Sequence, residues 1–398
     1  MKRKCNLGIM TFYAVQNYGA ALQAFALQQK LQELGANSEL LKFYDLHNER
    51  DKNHSVKVKY PLSFRIKAIL KNIINIKRRL YINKKYISNA LGFNDFKTKY
   101  LQISNAPFYT FEDLIKANTQ YDAFITGSDM VWTPIGQNLK AYFLQFADKN
   151  KRFSYAPSIT GCQNFTEDEE NSIKRYLEEF NLISCREREG VDYVKRMVKR
   201  DAVLVLDPTL LLSKDEWVER LSLKSKNMTK PYALIYMFGS IPRQVQNNIF
   251  SFGKRKNLEI RYIPLSEKQI LHEIKFQNNG PIGPREFVDM FCNASFIFTN
   301  TFHGLLFSLI FEKPFVVYKR ESGNKWKANE TRITDLLSEL GLNERFLDIS
   351  DRFNDNYCEL NYTDINKVIG KKKSYSIDYL KNVLSLINTD EQDSHSNV

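Results

Sequence analysis

Residues 295–318, SFIFTNTFHGLLFSLIFEKPFVVY, are compatible with few folds. Phe296, Ile297 and Phe298 form a β-branched and aromatic run, Thr299 to Gly304 a polar turn, and Leu305 to Phe311 an apolar run of helix length. Lys313-Pro314 stops the helix, and Phe315 to Tyr318 reads as a second strand. The order is strand, turn, helix, strand. In such a unit the turn lies at the carboxyl end of the first strand, where the next helix points its unbonded N–H groups and positive dipole end. That position suits an anion.

His303 lies in this turn and is one of five histidines, the others being His47, His54, His272 and His395. Imidazole is the side chain best matched to proton transfer near neutral pH. A blander account has His303 bonding a loop carbonyl, but the flanking Thr299, Asn300, Thr301, Phe302 and Gly304 favour a working residue. Asn300 and Thr301 are counted with it as candidate substrate contacts.

A chain of 398 residues is too long for one ordinary core, so two domains are expected. The net charge of +13 implies an anionic partner: a phosphorylated substrate, an acidic polymer, a lipid surface or nucleic acid. Nucleic acid is the weaker option, because no zinc-finger spacing or single-strand-binding aromatic motif occurs. Cys5, Cys162, Cys185, Cys292 and Cys358 are scattered and odd in number, which fits a reducing compartment better than a disulfide framework or a metal site. The basic start, Met1 to Lys4, leads into an apolar run that breaks at Thr11 and at Gln16-Asn17, so it reads as a strand and not as a signal peptide. No apolar run is long enough to span a bilayer. A cytoplasmic location is expected.

Asn6 to Thr11 reads as a strand, Ala20 to Leu34 as a helix ended by Gly35, and Glu39 to Phe43 as the next strand. The loop between the first two holds Asn17, Tyr18 and Gly19, which are useful ligand groups at the mouth of a parallel sheet. Equally, Asn17 caps the helix. No GxGxxG pattern supports a dinucleotide. Lys57 to Tyr86 is basic and helical in period, ending in Lys77-Arg78-Arg79, with helical character expected to about Phe96. A surface insertion with a solvated basic face is preferred there over a helix resting on an anionic membrane.

Tyr121 to Trp132 is again strand and turn. Ser128 and Asp129 stand at its end, where Asp129 is suited to accept a proton from, or orient, a sugar hydroxyl. Trp132 is read as core. A short strand, Leu182 to Ser184, precedes Arg186, whose planar fork suits a carboxylate or phosphate. An ion pair with Glu187 or Glu189 is the competing account. Val203 to Leu206 is a strand broken by Asp207-Pro208. The domain boundary is placed after Leu212, giving an N-terminal domain of 1–212 with an insertion near 57–96, a C-terminal domain of 213–388, and a disordered tail of 389–398. Alternating strands and helices in both halves argue for two α/β layers with parallel sheets.

Six segments, in order, resemble the polysaccharide pyruvyl transferase family: Asn17 to Ala24 (NYGAALQA), Gly127 to Trp132 (GSDMVW), Tyr155 to Ser158 (YAPS), Ser184 to Glu187 (SCRE), Asp207 to Leu211 (DPTLL) and Thr299 to Gly304 (TNTFHG). The resemblance implies two Rossmann-like domains facing a cleft, as in GT-B glycosyltransferases. It also implies phosphoenolpyruvate as co-substrate without a further cofactor, a sugar of a surface polysaccharide or its lipid-linked precursor as acceptor, and a cyclic ketal product. His303 matches the family's functional histidine and Arg186 its arginine after the central strand. Thr301 stands where many members carry an arginine thought to hold the donor, and Met130 where this branch usually has glutamine. Cations for the donor must then come from elsewhere, with Arg186 the first candidate and Arg285 the second.

Two other functions compete. A GT-B glycosyltransferase using a nucleotide sugar would share the fold. A non-catalytic glycan-binding protein of a polysaccharide locus would tolerate Thr301.

Overall fold

The computed structural model describes residues 4–44, 89–223, 230–264, 281–320, 328–351 and 353–395, without the side chains of 328–329 and 389–395. The basic stretch Lys57 to Tyr86 lies outside them.

The chain opens with the expected βαβ unit of β1 (Asn6–Met10), α1 (Tyr18–Glu33) and β2 (Asn37–Leu40). Asn17 caps α1 by accepting the Ala20 amide, and Gly35, at φ 95°, supplies the left-handed turn after it. Helical residues 89–100 form α2, four residues beyond the expected limit. β3 (Ala123–Thr126) and β4 (Arg152–Ser154) complete a sheet of order β2-β1-β3-β4 with every pair parallel. β5 (Ser184–Cys185), α3 (Arg188–Val198) and β6 (Val203–Leu204) continue this layer, since Phe153 of β4 bridges in parallel to Leu182.

The second sheet is built from β7 (Tyr232–Tyr236), α4 (Arg243–Arg255), β8 (Glu259–Tyr262), α5 (Pro284–Asn293), β9 (Phe296–Thr299), α6 (Phe302–Ile310), β10 (Phe315–Tyr318), α7 (Ala328–Glu339) and β11 (Phe346–Leu347). Its order is β11-β10-β9-β7-β8, again all parallel. The runs YALIY, FIFT and FVVY are buried at every position, as strands covered on both faces must be. The fold is α/β with two parallel, Rossmann-like layers.

α6 explains why the two layers meet where they do. Eight of its nine residues are buried and only His303 retains some exposure, so the helix must be enclosed on all sides. The second sheet covers one side. The other is covered by the first lobe, where Phe307 meets Trp217 at 5.3 Å and Trp217 meets Phe25 of α1 at 5.5 Å. Tyr18 adds a second joint, stacking on Phe287 of α5 at 4.9 Å and donating its hydroxyl to the Ile282 carbonyl. One apolar cluster thus runs from Leu7 and Phe25 through Leu305 and Phe307 to Leu380.

α8 (Tyr362–His395) ties the lobes from behind. Tyr362 donates to the Ser308 and Lys313 carbonyls of the second lobe, whereas Ser376 accepts the Leu206 amide and Tyr379 donates to the Ser154 carbonyl of the first. A contiguous 213–388 domain does not express this return. The tail expected to be disordered from 389 is helical through His395. The physical reason is that helix propagation costs little once Val383, Leu384 and Ile387 have packed the preceding turn.

Tyr379→Phe removes the hydroxyl that joins α8 to β4. Because the Ser154 carbonyl keeps its bond from the Ser184 hydroxyl, we expect a loss near the lower end for a buried hydrogen bond, about 1 kcal/mol in urea unfolding. A loss above about 3 kcal/mol would indicate a disturbed ring and not a lost bond.

Candidate active site

Parallel strands deliver their following loops to one edge, and four such ends converge here. Ser128 and Asp129 follow β3, Arg186 follows β5, Asp207 follows β6, and His303 opens α6 after β9. The common partner is Asp207, whose side chain is fully enclosed. Its Oδ2 accepts from Arg186 Nη1 at 3.0 Å and from the Ser128 hydroxyl at 3.3 Å, and lies 3.7 Å from His303 Nε2. Its Oδ1 accepts the Thr209 amide at 3.0 Å and the Thr209 hydroxyl at 2.8 Å. Burial alone would raise this carboxyl, but His303, Arg186 and the two Thr209 bonds hold it below the ordinary carboxylate value.

Arg186 is equally enclosed. Its Nε donates to Glu187 at 2.7 Å and its Nη1 also reaches Ser128 at 3.3 Å, while Nη2 has no partner among the described residues. Against the cost of burial, Glu187, Asp207 and Asp129 keep the group charged. The ion pair weighed against a ligand role is therefore present, with Glu187 and not with Glu189, whose carboxylate accepts the amides of Gly161 and Cys162. Two edges of the fork are engaged within the protein. Nη2 is left for something else.

His303 owes its place to Gly19. A Cβ on residue 19 would lie 2.1 Å from His303 Nδ1, so only glycine allows the start of α1 to touch this imidazole. Burial pulls the His303 pKa below its ordinary value, Asp207 and Asp129 oppose that pull, and Arg186 and Arg332 add to it. Burial thus favours the neutral imidazole, and its Nε2 is enclosed without a hydrogen-bond partner among the described residues. Asp129, half-buried, holds φ 79°, a left-handed geometry unusual outside glycine, with its carbonyl accepting the amides of Val131 and Ser158.

Other expected contacts have structural duties. Asn17 is exposed and caps α1, and Tyr18 joins the lobes. Asn300 spends both ends of its amide on the Phe238 backbone, at 2.6 and 2.9 Å. Thr301 caps α6 by accepting the Gly304 amide at 2.9 Å, with Thr299 Oγ1 3.0 Å away. Arg285 is engaged elsewhere, donating to the carbonyls of Leu221 and Ser222, because its place in the first turn of α5 faces that loop. Trp132 is core, as read, stacked 4.7 Å from Phe143 with its indole N–H on the Tyr142 carbonyl.

Sequence reasoning missed the hub. In sequence Asp207 reads as a strand breaker, although its place in the DPTLL segment, after a strand end, is the available signal. Arg332 was missed altogether, since it lies on a helix with no motif around it. Its guanidinium carbon is 5.1 Å from the Phe302 ring centroid, and that of Arg186 is 4.9 Å from the same ring. Both line a cavity of about 370 Å³ between the lobes, together with Asp207, Phe302, Leu336 and Tyr375.

Two outcomes are expected. Because folding lowers the His303 pKa, the stability held by the neutral ring is full above the ordinary histidine value of 6.5 and is lost as pH falls from there through the lower folded value. Unfolding midpoints at about pH 7.5 and about pH 5.5 should differ less in His303→Gln than in the parent. Gly19→Ala should push the ring outward and return its titration toward the ordinary value, as followed by imidazole proton NMR. An unmoved titration would contradict the contact.

The polysaccharide pyruvyl transferase family model matches residues 17–322. No curated protein matches the chain in sequence. Among solved structures, the UDP-GlcNAc 2-epimerase from Methanocaldococcus jannaschii is 11% identical, covers 96% of this chain and 93% of its own, and gives a TM-score of 0.47. The Neisseria meningitidis UDP-GlcNAc 2-epimerase, bound to UDP-GlcNAc, is 10% identical, with coverage of 97% and 99% and a TM-score of 0.46. The glycosyltransferase SnogD from Streptomyces nogalater is 11% identical, with coverage of 97% and 100% and a TM-score of 0.40. Likenesses this weak carry no functional weight. The family match, however, takes in Ser128, Arg186, Asp207 and His303 and most of the chain, so this protein belongs to the polysaccharide pyruvyl transferase family and is a transferase.

Proposed function

We propose that the chain transfers a pyruvyl group from phosphoenolpyruvate to two hydroxyls of a sugar in a surface polysaccharide or its lipid-linked precursor, forming a cyclic ketal. The observation that carries this reading is His303 Nε2 at 3.7 Å from the buried Asp207 Oδ2, the oxygen that also accepts from Arg186 Nη1, with Arg186 Nη2 unpartnered among the described residues. A base, its counter-charge and a cation for an anionic donor then stand together.

The reaction balances without an oxidant. One sugar hydroxyl bonds to the carbon bearing phosphate while the methylene carbon gains a proton and becomes a methyl group. The second hydroxyl bonds to the same carbon as the C–O bond to phosphate breaks. The net proton of one hydroxyl ends on carbon, and that of the other leaves with phosphate. His303 accepts a hydroxyl proton and delivers it onward, with Asp207 stabilising the imidazolium formed between. Asp129 orients the hydroxyls. The N–H groups that open α6 and the cationic groups around Phe302 face the donor's charges.

A lipid-linked acceptor would place the reaction at the cytoplasmic face of a membrane. Among the described residues no helix is long and apolar enough to cross one.

Phosphate release from phosphoenolpyruvate across a panel of sugar acceptors tests the reading. His303→Ala should lower acceptor-dependent release by about 100-fold or more with little change in melting temperature. A parent that ignores phosphoenolpyruvate and binds a nucleotide sugar would replace the reading with a glycosyltransferase.

A further inference from the structure

The cationic groups around Phe302 are unequally neutralised. Arg186 has Asp207 at 3.0 Å and Glu187 at 2.7 Å. Arg332, whose guanidinium shares the same ring, has no carboxylate within ion-pair distance among the described residues. Its Nε is enclosed and without a hydrogen-bond partner among them. Arg332 is half-buried, and holding its guanidinium beside a second one is unfavourable unless an anion arrives. Burial first, and then Arg186, lower the Arg332 pKa to about 10, with Glu187 and Asp129 opposing from beyond ion-pair distance. A group in that position is incompletely satisfied in the protein alone.

The anion's place is bounded by what surrounds it. Phe302 is the first residue of α6, and the Thr301 cap takes only the Gly304 amide, so the amides of Phe302 and His303 have no partner inside the helix. The cavity reached by Arg186 and Arg332 is about 370 Å³, room for a small dianion beside part of a sugar. Thr301, with its hydroxyl committed to the cap, adds no charge.

We propose that Arg332 is a donor-binding residue, seating one anionic group of a small carboxylate-and-phosphate donor while Nη2 of Arg186 takes the other. This rests on the pyruvyl transfer reading for the identity of the donor, but not for the anion seat itself. It supplies from α7 the cation that the turn before α6 lacks. Arg332 then anchors the donor and Arg186 orients it, since Arg186 is already clamped by two carboxylates.

Calorimetric titration with phosphoenolpyruvate, and separately with inorganic phosphate, tests the seat in the parent, Arg332→Gln and Arg332→Met. Both variants should bind phosphoenolpyruvate at least about 10-fold more weakly. Without ligand their melting temperatures should equal or exceed that of the parent, because an unpaired cation has been removed. A lower ligand-free melting temperature would make Arg332 a structural cation and overturn the proposal. Unchanged affinity, with phosphate release intact, would remove the seat and leave the pyruvyl donor standing. If the parent ignores phosphoenolpyruvate, yet inorganic phosphate stabilises the parent and not Arg332→Met, the seat stands and the donor assignment falls.

Discussion

A carboxylate removed from water is tolerated only when its charge is met by donors and cations, and Asp207 is the point where that requirement organises this molecule. Its two oxygens receive Thr209, Ser128 and Arg186, and face His303. Each partner comes from a different strand end. Removing any one leaves a buried charge short of partners, so the loops after β3, β5 and β6 and the start of α6 are held in register by one group. The same group places a negative charge beside the imidazole while burial favours the neutral ring.

Closure of the lobes depends on a second, steric condition. α6 is apolar nearly all round, which requires both lobes to cover it, yet its one partly open residue is the histidine. Gly19 permits that residue to lie against the start of α1. α8 then fastens the arrangement on the far side through Ser376 and Tyr379. Stability and site geometry share these contacts, so changes at the lobe junction affect both.

The turn Thr299 to Gly304 shows how polar residues divide between construction and chemistry. Thr299, Asn300 and Thr301 spend their hydrogen-bonding groups on Tyr236, on Phe238, on one another and on the helix cap. Phe302 lines the cavity between the lobes, and His303 lies beside Asp207. Arg320, just beyond β10, donates to the Asn300 carbonyl and braces the turn from behind. A polar turn at a strand end is therefore not uniformly a ligand surface, because its own backbone must first be satisfied.

Much was legible before any coordinates. Hydrophobic runs bounded by glycine, proline and polar turns gave the strands and helices of both sheets, because local burial and backbone chemistry write those patterns directly into residue order. His303 and Arg186 stood out for the same reason, as charged or titratable groups just past strand ends. Asp207 as hub, Gly19 as the contact for His303, Arg332 beside Phe302, and the engagement of Arg285 away from the site were decided by tertiary structure. They depend on which strand ends become neighbours, and that follows from sheet order and from the packing of α6 between lobes. Pairings across more than a hundred residues leave no periodic trace in one sequence. Only the folded chain brings Gly19 to His303 and Arg332 to Arg186.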